Sequence, residues 1–209
     1  ISVGLFLLKL SYGKDFVQVF RYFYFEDIPT WTGAWFESLL KGQVWRLITP
    51  IFLHFNFLHI IFNSMWMKDL GPAIEKERGP GLYLFMIFMI GVTSNTLQYF
   101  AAGPNFGGLS GVVYGLLGYL WVYGHLSDHA TVRLPKNVVV MMVGWYFLGL
   151  FNLIPGMANV AHGAGLGAGM LFGLFPWAAG NIKKRLLFIG ASAFFTVGSV
   201  LVEVAKRIS

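Results

Sequence analysis

Two long stretches without any formal charge constrain the fold of this chain more than any other sequence feature. Residues 82–127 and residues 137–182 each run for 46 residues without Asp, Glu, Lys or Arg. A helix rises about 1.5 Å per residue and needs about 20 apolar residues to cross the hydrocarbon core of a bilayer. Each stretch is therefore long enough to hold two membrane-spanning helices.

Turn-forming residues divide both stretches near the middle. Gly103-Pro104-Asn105 interrupts the first stretch, and residues 152–156, which include Pro155, interrupt the second. Proline and glycine in such clusters end helices and begin turns. Each stretch is thus predicted to form a helical hairpin.

Two further uncharged windows enlarge the predicted bundle. Residues 47–67 give the first complete crossing, and residues 186–202 give a last one that is near the lower length limit for a span. The opening apolar run 1–8 is too short to cross alone, which indicates either a truncated first span or the remainder of a cleaved signal peptide. The sequence therefore predicts an all-α polytopic membrane protein.

Composition agrees with this class and excludes several others. The chain is 56% hydrophobic and 11% charged, whereas about a quarter of an average soluble domain is charged. The 15 Lys and Arg residues are scattered among connecting segments, so the net charge of +6 does not indicate nucleic-acid binding. The absence of cysteine excludes disulfides, thiolate catalysis and Cys-ligated metal sites.

Positive charge is unevenly distributed between alternate connections, and this predicts the orientation. Basic residues occur at 68–78, 133–136 and 183–185, whereas the breaks around Pro104 and Pro155 contain none. Because cytoplasmic loops are enriched in Lys and Arg, these three segments are assigned to the cytoplasm. The aromatic-rich segment 11–46 then lies on the outer side, either as an interfacial segment or as a plain aromatic belt.

A few polar side chains fall inside the predicted spans, where burial in hydrocarbon is costly. They are His54, His59, Asn63, Ser110 and His162. Hydrogen bonding between helices is the simpler explanation for any one of them alone. His59 and Asn63, however, are four residues apart and share one helix face, where they form a polar patch.

Ser110 lies in the glycine-rich run Gly107-Gly108-Leu109-Ser110-Gly111, directly after the first break. Glycines allow a sharp turn, and the N-terminus of the following helix offers unpaired N–H groups that suit a developing oxyanion. The pattern echoes the nucleophile elbow of hydrolases, although small-residue packing accounts for the same residues. A nucleophilic role for Ser110 requires a base nearby.

His162 is the candidate base, because small residues could bring its helix against that of Ser110. Glycines recur at every fourth position on both helices, as Gly165, Gly169 and Gly173 and as Gly111 and Gly115. Such stripes allow two backbones to approach closely, so the imidazole could accept the Ser110 proton. Tyr114, one turn after Ser110, would either pack against the imidazole or be an ordinary core aromatic.

Other intramembrane chemistries lack their ligands in this sequence. Zinc proteolysis of the His-Glu-x-x-His type needs a run that does not occur here. An aspartyl dyad needs two carboxylates inside the membrane, yet all Asp residues are assigned to connections. Transporters and channels would show internal charge or paired repeats, and neither is found.

Three motifs together resemble the rhomboid intramembrane serine proteases, in particular the bacterial members. They are HFNFLHIIFN at 54–63, GGLSGVVY at 107–114 and AHGAG at 161–165. The resemblance covers residues 44–175, with the motifs in the order of the family. It implies a rhomboid-like six-helix bundle with an additional C-terminal membrane helix. Residues 1–182 would form the rhomboid domain, and residues 183–209 would form a basic linker and the extra helix.

The resemblance also implies residue roles. Ser110 would be the nucleophile and His162 the general base of a dyad that uses no metal or organic cofactor. Asn63 and His59 would complete the oxyanion hole with the Ser110 N–H group, and Tyr114 would stack on the histidine. The supporting glycines of the motifs are Gly108, Gly111 and Gly165. Trp45-Arg46 and Glu75–Gly79 resemble structural motifs of the family, with Glu77 at a position where many relatives have Arg.

The function implied by the resemblance is intramembrane serine endopeptidase activity on transmembrane protein substrates in the lipid bilayer. Family substrates carry helix-destabilising residues and a small side chain at the cleavage position. The implied location is the bacterial inner membrane, with the active site opening toward the outer face. The alternative is a catalytically silent rhomboid-like protein that binds membrane clients, but such relatives lack the dyad.

Overall fold

Helices and turns joined by loops make up the part that the structure, a computed structural model, describes: residues 1–12, 17–175 and 181–208. Its α-helices are α1 (Ser2–Tyr12), α2 (Val17–Phe20), α3 (Glu37–Leu40), α4 (Phe57–Ala102), α5 (Ser110–Leu126), α6 (Lys136–Leu150), α7 (Asn159–Leu174) and α8 (Ile182–Ile208). Short 3-10 turns lie at Ile28–Thr30, Val44–Leu47 and Thr49–Phe52. These residues contain no strand, as the sequence predicts.

Helix α4 consists of two halves that fold back on each other at Gly79. Gly79 has φ 78° and ψ 161°, outside helical values, and Pro80 disfavours a helical conformation in the residue before it. A side chain on Gly71 would overlap the Tyr83 hydroxyl, so residues that a straight helix would hold far apart lie in contact. Each half is long enough to cross a bilayer.

The predicted crossing at 47–67 is wrong at its start. Residues Val44–Leu47 and Thr49–Phe52 form 3-10 turns, and the helix begins only at Phe57, where Asn56 accepts a hydrogen bond from the His59 N–H group at 2.8 Å. The first half of α4 therefore includes residues 68–78, which the sequence analysis assigned to a connection. A stretch without charged residues indicates which part of the chain can lie in the hydrocarbon core, but it does not indicate where a helix begins or ends.

The other predicted breaks are confirmed. Helix α4 ends at Gly103, whose φ of 77° is accessible mainly to glycine, and α6 is separated from α7 by residues 151–158. The last predicted crossing, 186–202, lies within the longer helix α8. Of the described helices, α4 and α8 are long and apolar enough to cross a membrane.

Helices α5 and α7 form the centre of the bundle and meet along their glycines, as predicted. A methyl group on Gly165 would overlap the carbonyl oxygen of Gly111, and one on Gly169 would overlap that of Gly115. Only glycine allows this contact of backbone with backbone. The contact fixes the distance between the two N-terminal ends of α5 and α7.

The long segment before α4 contains two fully buried charged residues, of which Arg46 bonds within the segment and Glu26 joins the segment to α4. Arg46 is fully buried, and its guanidinium donates hydrogen bonds to the carbonyl oxygens of Arg21 and Tyr24 at 2.6 and 2.8 Å. Glu26 is also fully buried and accepts a hydrogen bond from the Tyr99 hydroxyl at 3.0 Å. These contacts fit the structural role implied for Trp45-Arg46.

The bend of α4 is joined to the connection between α5 and α6 by Glu77. Its carboxylate accepts hydrogen bonds from the Thr131 hydroxyl and from the N–H groups of Thr131 and Val132. A carboxylate can accept several donors at once. Glu77 therefore fills a structural role through hydrogen bonds to a loop.

Acid is expected to loosen the turn around α3. Hydrogen bonds from Lys41 and from Thr32 lower the pKa of Glu37 from 4.5 to about 2. A depressed carboxyl pKa gives stability that is present above the unfolded pKa and is lost as the pH falls through the folded value. Hydrogen exchange of the peptide 28–41 should therefore accelerate, relative to Glu37→Gln at the same pH, between pH 4.5 and 2. An identical pH dependence in both proteins would contradict this assignment.

Candidate active site

Ser110 and His162 lie within hydrogen-bonding distance of each other. The Ser110 Oγ and His162 Nε2 atoms are 2.7 Å apart. Ser110 is the first residue of α5 and His162 lies in the first turn of α7, so the glycine contact between these helices positions both side chains. Gly111, which follows Ser110, also faces the carbonyl oxygen of Ala161, which precedes His162.

The His162 ring is held mainly by packing. His162 is 4% exposed, and its Nδ1 atom has no hydrogen-bond partner among the residues that the structure describes. The Tyr114 ring lies against it, with centroids 4.8 Å apart and planes inclined by 30°. The Tyr114 hydroxyl donates a hydrogen bond to the Met142 carbonyl oxygen at 2.9 Å. Of the two alternatives for Tyr114, the structure shows packing on the imidazole.

The polar patch of α4 is joined by His54, which the sequence analysis placed on the same span but which lies just before the helix. Asn63 is 5% exposed, and its Nδ2 atom lies 2.9 Å from Nε2 of His54. The other ring nitrogen of His54 lies 3.2 Å from the Phe52 carbonyl oxygen, which can only accept. His54 is therefore protonated at Nδ1 and accepts from Asn63 at Nε2. This bond orients the Asn63 amide.

Gly108 brings this patch next to the segment that carries Ser110. Its φ is 123°, and a Cβ atom placed there would lie 2.5 Å from the His59 ring and 3.8 Å from Nδ2 of Asn63. The backbone two residues before Ser110 thus rests on the His59 ring, where no other residue type fits without displacement. The structure brings together all five predicted site residues.

Backbone donors are also available beside Ser110. The residue before it, Leu109, is the N-cap of α5 and offers no side-chain hydrogen bond. The first N–H groups of a helix have no partner within the helix and carry partial positive charge. A hydroxyl, an imidazole and several N–H donors therefore share one partly buried location, which is the arrangement that acyl transfer requires.

Two supporting residues were missed by the sequence analysis. Gln98 is 5% exposed and accepts a hydrogen bond from the Ala161 N–H group at 2.9 Å, immediately before His162. Ser94 is 1% exposed and packs against Gly111. Both are polar residues within the uncharged stretch 82–127, which is the same signal that identified Ser110. Each holds the backbone beside a member of the Ser110–His162 pair.

Comparison with known proteins identifies the family of this chain. The family model described as Rhomboid domain matches residues 41–179. Proteins named Rhomboid protease GlpG from Salmonella newport (strain SL254), Salmonella heidelberg (strain SL476) and Salmonella typhi are each 38% identical over 161 residues, which is 77% of this chain. The chain spans 58% of the length of these relatives. The chain therefore belongs to the rhomboid family, and its helices form a rhomboid-like helical membrane bundle.

Proposed function

We propose that this chain is an intramembrane serine endopeptidase in which Ser110 is the nucleophile and His162 is the general base. The observation that carries the proposal is the 2.7 Å separation of Ser110 Oγ and His162 Nε2. Such a contact allows the imidazole to take the hydroxyl proton as the oxygen attacks a carbonyl. The membership of the rhomboid family supports the same chemistry.

The reaction divides into two steps of acyl transfer. In the first, Ser110 Oγ attacks the scissile carbonyl carbon while its proton passes to Nε2 of His162, which then protonates the leaving amine. In the second, His162 takes a proton from a water molecule that attacks the acyl-enzyme, and the hydroxyl of Ser110 is regenerated. A dyad suffices for both steps because the same nitrogen accepts and returns the proton.

The oxyanion of each tetrahedral intermediate is held by the donors around Gly108. Asn63 carries two N–H bonds on Nδ2, and only one of them is used toward His54. The second is available to the oxyanion, together with the Ser110 N–H group and the His59 ring. Because Asn63 is buried and the Ser110 and His59 residues are half-buried, each hydrogen bond is electrostatically stronger than in solution.

The substrates of the proposed reaction are transmembrane segments of other membrane proteins. In a helix the scissile carbonyl is engaged by the N–H group four residues later, so it must be released before attack. Segments with helix-breaking residues therefore suit the site, and a small side chain eases the approach of Ser110. The proposed location is the bacterial inner membrane, with the active site toward the outer face. Residues 1–182 act as the catalytic domain and residues 183–209 as an additional span.

Cleavage in reconstituted bilayers tests the proposal. The protein is placed in vesicles with a reporter whose single transmembrane segment contains a helix-breaking Gly-Pro pair and a small residue. Cleavage within that segment is expected for the wild-type protein. Binding of the reporter without cleavage by a folded protein would instead support the silent rhomboid-like binder.

Replacing Asn63 with Ala is expected to lower kcat by about 10²–10³-fold, because loss of one oxyanion donor typically has this effect. The Tm in detergent should change little by comparison, since the residue contributes one hydrogen bond to His54. Ser64→Ala is the matched control, because Ser64 is exposed and adjacent. Wild-type kcat in a folded Asn63→Ala protein would remove Asn63 from the oxyanion hole.

A further inference from the structure

Helix α7, which carries His162, is in contact with helices on two opposite faces. Gly165 and Gly169 face α5, whereas Gly163 and Gly167 face α8. Residues two positions apart on a helix are separated by about 200° around its axis. Helix α7, which carries the proposed base, is therefore packed between α5 and α8.

The contact with α8 is also close enough to require glycine, although α5 approaches α7 more closely. A methyl group on Gly163 would overlap the carbonyl oxygen of Phe195 and lie 2.6 Å from the Ser199 hydroxyl oxygen. The Ser192 hydroxyl donates a hydrogen bond to the Gly167 carbonyl oxygen at 2.9 Å. Gly163 directly follows His162, so α8 touches the backbone at the proposed base.

A series of aromatic rings makes a second connection from α8 to His162. The Phe195 ring contacts the ring of Tyr146 edge to face, with centroids 5.4 Å apart. Tyr146 lies 6.3 Å from Tyr114, and Tyr114 packs on the His162 ring at 4.8 Å. Phe195, Tyr146 and Tyr114 are each buried, so displacement of one ring is transmitted to the next in a close-packed interior.

These contacts matter because His162 has little else to fix its ring. Its Nδ1 atom lacks a hydrogen-bond partner in the described residues, whereas a third group usually orients the base in serine hydrolases. The ring orientation must then come from packing around α7. The family model that matches this chain ends at residue 179, before α8 begins.

We propose that α8 is a positioning element for the active site and that Phe195 is its positioning residue, acting on His162 through Gly163 and through the Tyr146–Tyr114 pair. This inference rests on the proposed function, because it assigns α8 a task in the Ser110–His162 reaction. Phe195 touches neither substrate nor reacting atoms. Its contribution is to hold the imidazole where the proton is transferred.

Graded substitution of Phe195 tests this role. In the reconstituted cleavage assay, kcat is expected to fall about 3-fold for Phe195→Leu and about 10-fold for Phe195→Ala, because small misplacements remote from the chemistry have effects of this order or larger. KM should stay unchanged, since the Phe195 side chain is buried at 6% exposure and offers no surface to a substrate. Phe194→Ala is the matched control, because Phe194 is the adjacent phenylalanine on α8 but is 60% exposed.

Active-site labelling separates positioning from loss of folding. A fluorophosphonate probe is titrated into each variant, which gives the fraction of competent sites and the labelling rate per site. A slower labelling rate per site, at an unchanged fraction of competent sites, supports the proposal. If Phe195→Ala does not fold, the result for Phe195→Leu alone tests it. If the variants label at the wild-type rate per site and only the fraction of competent sites is reduced, the positioning role of Phe195 is overturned. An unlabelled wild-type protein would instead overturn the proposed function, on which this inference rests.

Discussion

Replacing either Ser110 or His162 with Ala is expected to lower kcat for cleavage of a transmembrane reporter by on the order of 10⁴–10⁶-fold. Ser110→Ala removes the atom that forms the acyl-enzyme. His162→Ala leaves a hydroxyl that has no base at 2.7 Å. Because the two side chains act as one unit, the double variant should be no less active than either single variant. Steady-state cleavage in vesicles measures all three.

The matched control for this result is Ser127→Ala. Ser127 is a buried serine at the opposite end of α5 from Ser110, and its hydroxyl accepts a hydrogen bond from the His129 N–H group at 3.2 Å. Its removal should leave kcat within a few-fold of the wild-type value. Ser110→Ala activity within 10-fold of wild type would show that another group is the nucleophile.

Replacing Gly165 with Ala is expected to destabilise the bundle by about 3 kcal/mol or more, at or above the usual range for overpacking a core. The added methyl group would overlap the Gly111 carbonyl oxygen, which belongs to the backbone and cannot rotate away. Helices α5 and α7 must then separate, and the Ser110–His162 contact would lengthen with them. The Tm measured by thermal unfolding in detergent should therefore decrease, and the labelling rate of Ser110 should decrease with it.

Gly190→Ala is the control for the glycine contact between α5 and α7. It should raise the stability of the protein, whereas Gly165→Ala should lower it. Gly190 lies in α8 with open space where a side chain would be. Alanine is favoured over glycine in a helix by about 1 kcal/mol, so this variant should be slightly more stable. A Gly165→Ala protein as stable as wild type would show that α5 and α7 do not touch at their glycines.

Much of the architecture could be predicted because membrane helices are marked by the absence of charge. Some local patterns have a single physical interpretation. The breaks near Pro104 and Pro155 end helices, and the glycine stripes of α5 and α7 allow the two helices to approach closely. The start of α4 at Phe57 could not be found in this way. The preceding 3-10 turn Thr49–Phe52 is as free of charge as a span. The start of α4 depends on capping by Asn56 and not on hydropathy.

The proposed dyad and the packing of Tyr114 on His162 could be predicted from the sequence, but two hydrogen bonds that support the site could not. Ser110 and His162 are polar residues in apolar helices, and the small residues after them indicated which helices meet. The pairing of His54 with Asn63 and the bond from the Ala161 N–H group to Gln98 depend on distances between separate helices. Nothing in their spacing along the chain reveals these contacts.

The central claim is that His162 activates the Ser110 oxygen, and covalent labelling measures this most directly. The purified protein is treated with a fluorophosphonate probe in mild detergent, and the labelled peptide is identified by mass. The account predicts one adduct per chain, on Ser110, in the wild-type protein and no adduct in Ser110→Ala or His162→Ala. An adduct on another residue, equal labelling of His162→Ala, or no labelling of the folded wild-type protein both in detergent and in bilayers would contradict it.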